Sequence, residues 1–227
     1  MKIALVIFTK NERRNSEKMF PKIPLRLFDG IYVVDAKSND GTRDFYKAKK
    51  IKVFDQIYPG VGGAYESAFR NTKKDALVIF HPDGNSDPKA LSKMVQLLRK
   101  GEQFIIPSRM IKGAANEEDD QSFKYRKWSN QLMSTLVSML WGRDGNKCSD
   151  LTQGYRAMTR RAYEKLNIKI PSPIAPDIEQ VIRALKRGIK IVEFPTREGH
   201  RLHGKTSMPS IRTSIENLKV FFRELLV

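Results

Sequence analysis

Three side chains able to hold a cation or shape a polar turn, His81, Asp83 and Asn85, close the segment DALVIFHPDGNSDP, Asp75 to Pro88. Ala76 to Phe80 before them is a short apolar, β-branched and aromatic run, which reads as a buried strand and puts the polar residues at its carboxyl end. A hard divalent ion such as Mg²⁺ or Mn²⁺ takes oxygen ligands and commonly bridges one carboxylate to substrate phosphates. Asp83 can hold such an ion, with His81 or Asn85 completing the site directly or through water. Asp, Gly and Asn also make ordinary turns, and this segment alone leaves the two readings level.

Two more strand ends carry carboxylates. Asp35 ends the apolar run before Ala36-Lys37-Ser38-Asn39-Asp40-Gly41, where it can accept hydrogen bonds from a ribose or a base, while Asp40 suits a helix N-cap. Glu12 follows the first apolar run. Three strands thus deliver acidic groups toward one edge of a sheet. Gly60, Gly62 and Gly63 precede a helical pattern, which lets backbone approach a diphosphate or sugar closely. They lack the Gly-x-Gly-x-x-Gly spacing of dinucleotide enzymes, which disfavours a nicotinamide dehydrogenase.

Alternation along the chain supplies the elements that would position these groups. Strands are expected at 2–8, 31–34, 51–54, 76–80, 103–106 and 190–194, with helices at 42–49, 64–72, 88–100, 160–166 and 177–187 between them. This pattern predicts an α/β fold, a mainly parallel sheet with helices on both faces, in which ligands bind beyond the strands' carboxyl ends. The chain of 227 residues is expected to form a single domain over 1–227. Residues 113–121, with four acidic side chains and little apolar content, read as a mobile loop. Two amphipathic helices are expected at 123–141 and 210–226. Their apolar faces, Leu132, Leu136, Val137, Met139 and Leu140 on the first and Ile211, Ile215, Leu218, Phe222 and Leu225 on the second, suit either packing on the core or resting on an anionic leaflet.

Forty-two Lys and Arg against 25 Asp and Glu give a formal charge of +17, which predicts an acidic partner: nucleic acid, an anionic membrane surface or a phosphorylated substrate. No apolar run approaches the ~20 residues of a membrane-spanning helix. The first apolar run is cut short by Thr9 to Arg14, unlike a secretory signal. A single cysteine, Cys148, excludes an internal disulfide and fits a reducing compartment. The expected location is cytoplasmic, with peripheral contact on the inner membrane face.

The order of Phe8-Thr9-Lys10-Asn11-Glu12, VVDAKSNDGT, Gly60 to Ala64, HPDGNSDP, Pro107-Ser108-Arg109, SDLTQGYRA, GIKIVEFPT and Arg201 to Ser207 resembles glycosyltransferase family 2, in its dolichol-phosphate mannosyltransferase-like branch. The resemblance runs over nearly the whole chain. It implies a GT-A fold and an inverting transfer of a hexose from a nucleoside diphosphate sugar, GDP- or UDP-linked. Mg²⁺ or Mn²⁺ would sit on the diphosphate, and a polyprenyl phosphate would be the acceptor. On its positions, Thr9, Glu12, Asp35, Lys37, Gly62, Asp83 and Arg109 fall on the donor. Asp83, with His81 and Asn85, falls on the metal, and Arg126, Asp150 and Arg201 fall on catalysis. His81 replaces the first aspartate of the Asp-x-Asp element, Ala36 replaces a second nucleoside aspartate, Lys37 stands where glycine is common, and the late motif ends in Thr206-Ser207 without its final lysine.

An anionic phosphate acceptor needs no general base, only cations such as Arg126 and Arg201 to hold it. A hydroxyl acceptor, in transfer to a saccharide for cell-surface glycans, would need a base, for which Asp150 is the candidate beside its alternative role in a turn or cap. Two rival classes are a nucleic-acid-binding protein, disfavoured by basic residues that are spread without a binding motif, and a sugar-nucleotide pyrophosphorylase, disfavoured by the missing glycine-rich basic loop after the first strand.

Overall fold

The computed structural model describes residues 1–169, 171–204 and 210–226. Its centre is a seven-stranded sheet, β1 Ile3–Thr9, β2 Gly30–Asp35, β3 Lys52–Asp55, β4 Ala76–Phe80, β5 Phe104–Ser108, β6 Arg156–Thr159 and β7 Ile191–Pro195, in the order β3-β2-β1-β4-β6-β5-β7. All neighbours pair parallel except β6, which runs antiparallel to both β4 and β5. This is the mainly parallel sheet with helices on both faces of a GT-A fold.

Period-two alternation builds two cores from one strand. Ala4, Val6 and Phe8 of β1 enter one apolar cluster, while Ile3, Leu5 and Ile7 enter the other. Residues of α3 Gly60–Asn71, α5 Tyr125–Trp141, α6 Arg160–Leu166, α7 Pro176–Lys186 and α8 Ser210–Leu225 pack into the first. Those of α1 Arg13–Met19, α2 Thr42–Ala48 and α4 Ala90–Arg99 pack into the second. A strand buried on both faces has to be apolar throughout, which is why β1 and β4 read as unbroken hydrophobic runs.

Strand order fixes where a ligand can enter. From β1 the chain moves outward to β2 and β3 on one side, then returns to place β4 on β1's other side. Loops leaving β1 and β4 diverge at that switch point, opening a crevice at their carboxyl ends.

Three expectations need correction. The glycines at 60, 62 and 63 do not lie in a loop before a helix; they form the first turn of α3. A Cβ on Gly62 would lie 2.2 Å from the Ser172 carbonyl oxygen, one on Gly60 2.1 Å from that of Pro173, and one on Gly63 1.9 Å from that of Tyr58. Gly62 therefore lets backbone pack on backbone. Second, residues 113–121 are tied down. Asn116 Nδ2 donates to Glu198 Oε2 at 2.8 Å, Ala115 bridges to Arg197, and Glu118 is buried. Third, the apolar faces of α5 and α8 are not packed on the core, as Leu132 (65%), Met139 (76%), Ile211 (73%) and Phe222 (59%) are largely exposed. Only Val137 from the two predicted faces is buried; α8 is anchored instead by Val220 and Phe221.

Candidate active site

Glu12 follows β1 and Asp83 follows β4, so the switch point brings the two carboxylates together. The guanidinium of Arg201 joins them: Nη1 lies 3.2 Å from Asp83 Oδ2, and Nη2 donates to Glu12 Oε1. Residues 199–202 dock on the turn after β4 by two backbone bonds, Gly199 N to the Asn85 carbonyl (3.0 Å) and Leu202 N to that of Asp83 (2.9 Å). The fit requires Gly84, where φ is +104° and a Cβ would lie 2.8 Å from the His200 carbonyl oxygen. Asn15, not anticipated from sequence, donates to Glu12 and to the His203 carbonyl, closing the loop over this corner. Lys205, Thr206 and Ser207 of the late motif lie outside the described residues.

Asp35 occupies the same sheet edge, directly opposite Thr9 in the β1–β2 register. It is wholly buried, and both oxygens are in use: Oδ2 accepts from Thr9 Oγ1 (2.8 Å) and Ser38 Oγ (2.6 Å), and Oδ1 from Ser38 N (2.9 Å) and Arg43 Nη1 (3.1 Å). Its geometry braces the turn; contact with a ribose or base would require one of these bonds to break. Thr9 shares that bracing role. Lys37 is exposed with φ at +58°, the left-handed region that glycine adopts without cost, which explains why glycine suits this position.

Arg109 and Asp150 form a buried clamp. Asp150, with no exposed surface, accepts from Arg109 N (2.9 Å), Nε (2.8 Å) and Nη2 (2.8 Å) and from Asn130 Nδ2 (2.8 Å), while Arg109 Nη1 reaches Glu198 at 2.6 Å. Burial alone would raise the Asp150 pKa, but the Arg109 charge and its hydrogen bonds outweigh it and hold the carboxyl below the usual aspartate value. For Arg109 burial pulls down, and Asp150 and Glu198 together raise its pKa. A carboxylate enclosed in this way has no face to offer a substrate proton. Asp150 is therefore a positioning residue, and its candidacy as a general base is withdrawn. Arg126 is half exposed at the mouth of the site, held by Glu117 (2.6 Å) and Glu118 (2.7 Å).

A cavity of about 520 Å³ lies among these groups, within the usual range for ligand sites. Its lining includes His81, Asp83, Asn85, Arg109 and Arg126, and it continues past Leu132, Met133 and Leu136 of α5 to Leu218 of α8. One end is therefore polar and the other apolar. Asp177, in the first turn of α7, also lines it. In the sequence this residue has only the character of an ordinary acidic helix start, which carries no sign of a cavity position.

His81 Nε2 and Asn85 Oδ1 are buried without hydrogen-bond partners, and Asp83 Oδ1 accepts only the Asn85 backbone N–H, at 3.1 Å, among the described residues. Among those residues no three His, Cys, Asp or Glu side chains stand close enough to cage a metal ion. One carboxylate beside an unpartnered amide oxygen fits the other mode of binding, in which the ion takes most of its ligands from substrate phosphates and water.

Comparisons with known proteins agree with this architecture. The chain is 27% identical over 233 residues to a dolichol-phosphate mannosyltransferase of Pyrococcus furiosus, covering 98% of this chain and 63% of that protein, so it spans less than two thirds of that relative. It is 27% identical to an undecaprenyl-phosphate mannosyltransferase of Micrococcus luteus, covering 92% and 88% of the two chains. Among solved structures, glucosyl-3-phosphoglycerate synthase of Mycobacterium tuberculosis in complex with Mn²⁺ and UDP-glucose superposes with a TM-score of 0.74 at 17% identity, over 100% of this chain and 79% of that one. That likeness shows the fold. The model of Glycosyl transferase family 2 matches residues 5–166, well over half of the sequence, and the chain is a glycosyltransferase belonging to that family.

Proposed function

We propose that this enzyme transfers a hexose from a nucleoside diphosphate sugar to a polyprenyl phosphate, with inversion and with a divalent cation. The observation that carries the reading is the two-natured cavity, polar at Asp83 and Arg109 and apolar at Leu132, Leu136 and Leu218. A sugar nucleotide suits the first end. A lipid phosphate suits a path that begins on an apolar helix surface and ends among arginines. The acceptor class also follows the names of the relatives from Pyrococcus and Micrococcus.

Charge supports the cation. In a chain of +17, the cavity lining carries five carboxylates, Asp83, Glu117, Glu118, Asp177 and Glu198, against three cations, Arg109, Arg126 and Lys127, each of which is already paired. Arg201 and Arg156 pair Asp83 and Asp177 in turn, so every lining cation is already engaged by a carboxylate, and a diphosphate gains from bringing its own counter-ion. Asp83 would hold Mg²⁺ or Mn²⁺ with Asn85 Oδ1 beside it, and the ion would neutralise charge on the departing diphosphate. An acceptor phosphate oxygen, ionised near neutral pH, attacks the anomeric carbon from the face opposite the diphosphate; the new C–O bond forms as the bond to the diphosphate breaks. Arg126 holds the acceptor phosphate, exchanging Glu117 or Glu118 for it. Arg201 releases Asp83 and Glu12 and turns its charge to the donor phosphates.

The exposed stripes of α5 and α8 would rest on an anionic membrane, with Arg212, Lys219 and Arg223 on α8, Arg126 on α5 and Lys124 just before it beside the apolar residues. No helix among the described residues is long and apolar enough to cross one. The test is transfer of labelled sugar from UDP- and GDP-hexoses to undecaprenyl phosphate in vesicles, with Mn²⁺ and with a chelator. Labelled lipid that appears with one donor and vanishes on chelation supports the reading. Label found only on saccharide acceptors would defeat it.

A further inference from the structure

A second cavity, of about 580 Å³, lies on the other flank of α5 from the catalytic one. At about 100° per residue, Ser129, Asn130 and Met133 turn toward the catalytic cavity, and Gln131, Ser134 and Ser138 turn toward the second. The exposed apolar stripe runs between the two. Leu132 and Leu136 border the first cavity, and Met139 borders the second. A surface that receives the stripe therefore meets the mouths of both.

The walls of this second cavity are fixed. Its far side is the segment 142–149, which leaves α5 at Gly142, where a Cβ would lie 2.4 Å from the Ser138 carbonyl oxygen and 2.8 Å from that of Asn146. The Cys148 carbonyl accepts from the hydroxyls of Ser134 and Ser138, the latter at 3.5 Å. Asn146 ties the same segment to the start of β7, donating to the Ile189 carbonyl at 2.9 Å and accepting from Ile191 N at 3.0 Å. A pocket formed in this way is ready for a ligand without rearrangement.

Its chemistry is unlike that of the catalytic cavity. Where that lining carries five carboxylates, this one has none among the described residues. Two carboxylates behind its wall are already engaged, Asp150 by Arg109 and Glu193 by Ser149 N at 2.8 Å. The lining offers instead the ammonium of Lys147 and the side-chain amide of Gln131, both exposed and without a partner among the described residues. Met110 and Met139 add apolar flanks. An unpaired cation beside an amide donor fits a phosphate oxygen, and an anion enters here without the counter-ion that the catalytic cavity calls for. The ammonium of a choline or ethanolamine headgroup would find no opposite charge.

We propose that the second cavity seats the headgroup of an anionic phospholipid; the inference rests on the membrane reading above. The phosphodiester accepts from Lys147 and Gln131, the glycerol lies against the methionines, and the acyl chains leave past Met139 alongside the apolar stripe. An apolar stripe alone lets a helix rock about its axis on a bilayer. A headgroup held on one flank of α5 sets its roll, and so holds the catalytic mouth on the other flank at the depth of the lipid phosphates, where a polyprenyl phosphate is presented.

The test is partitioning of the full chain onto phosphatidylcholine vesicles that contain phosphatidylglycerol. Thr135 lines the cavity at the edge of the stripe. Thr135→Phe fills the cavity, leaves the charge unchanged and adds apolar area facing the bilayer, so non-specific resting makes binding tighter and a headgroup site makes it weaker. Partitioning should weaken ~10-fold or more in Thr135→Phe and in Lys147→Gln, against about 5-fold in Lys219→Gln, which removes a cation of the same face outside the cavity. Thr135→Phe binding as tightly as wild type, or Lys147→Gln losing no more than Lys219→Gln, overturns the inference and leaves the membrane reading standing. Wild type that stays in solution overturns both. Monomeric dihexanoylphosphatidylglycerol should shift the amide resonances of Gln131 and Lys147; shifts of the same size from glycerol phosphate at equal concentration would put a soluble phosphate ester there and overturn the lipid assignment.

Discussion

Replacing Asp150 by alanine separates the two roles that this carboxylate can play. It is fully buried and accepts four hydrogen bonds, three from Arg109 and one from Asn130, and Arg109 is only 14% exposed. Solvent screening is therefore slight, and the relevant comparison is the breaking of a buried pair, which costs about 3–5 kcal/mol because the surviving charge is left short of partners. Glu198 and Thr152 remain on Arg109, at 2.6 and 3.1 Å, which places the expected loss near the lower bound, about 3 kcal/mol. A chain of this size shifts by about 2 °C per kcal/mol, so Tm should fall by about 6 °C. Urea unfolding followed by circular dichroism measures the loss directly, and thermal melts provide the second readout. A variant that unfolds within about 1 kcal/mol of wild type yet has lost turnover would refute the clamp and restore Asp150 as a base, since that cost is below any expected for a broken buried pair.

Other outcomes follow from the same geometry. Asp83→Ala should abolish transfer with little change in Tm and should remove the Mn²⁺-dependent part of nucleotide binding; near-normal turnover would remove the metal assignment. Asp150 has a depressed pKa in the fold, so its contribution is present above the unfolded value near 4 and is lost as pH falls through the folded value. The acid limb of stability against pH should accordingly be shallower in Asp150→Ala. Glu193 behaves oppositely: burial raises its pKa despite the bond from Ser149 N, so stability declines as pH rises from about 4.3 through the raised value. Glu193→Gln should flatten that decline, and an unchanged slope in unfolding free energy from pH 4 to 7 would disprove it. Leu132→Ser with Phe222→Ser should weaken sedimentation with vesicles containing phosphatidylglycerol, and salt should weaken the wild type; equal wild-type binding to neutral vesicles would count against the docking face.

Local chemistry made much of the fold legible. The runs at β1 and β4 had to be apolar because both sheet faces are covered, so they stood out as strands, and the parallel sheet followed from their alternation with helical segments. Polar residues directly after an apolar strand must lie at its carboxyl end, which is why residue order alone places Glu12, Asp35 and Asp83 on one edge. Exposure of the α5 and α8 faces was not legible. Hydrophobic periodicity records that a helix has an apolar stripe, and the same stripe serves a protein core or a surface outside the protein.

The sequence by itself determined the element order, the family and the edge on which the acidic groups gather, because these depend on residue type and short-range spacing. Tertiary structure decided what each group can do. Asp150 is saturated by Arg109 and Asn130, partners distant in the chain, Gly62 serves packing, and Arg201, 118 residues beyond Asp83, links that carboxylate to Glu12. Asp177 is held at the cavity by Tyr65 and Arg156, which the fold brings in from elsewhere in the chain. A carboxylate's chemistry is set by which of its lone pairs are already taken, and long-range contacts settle that.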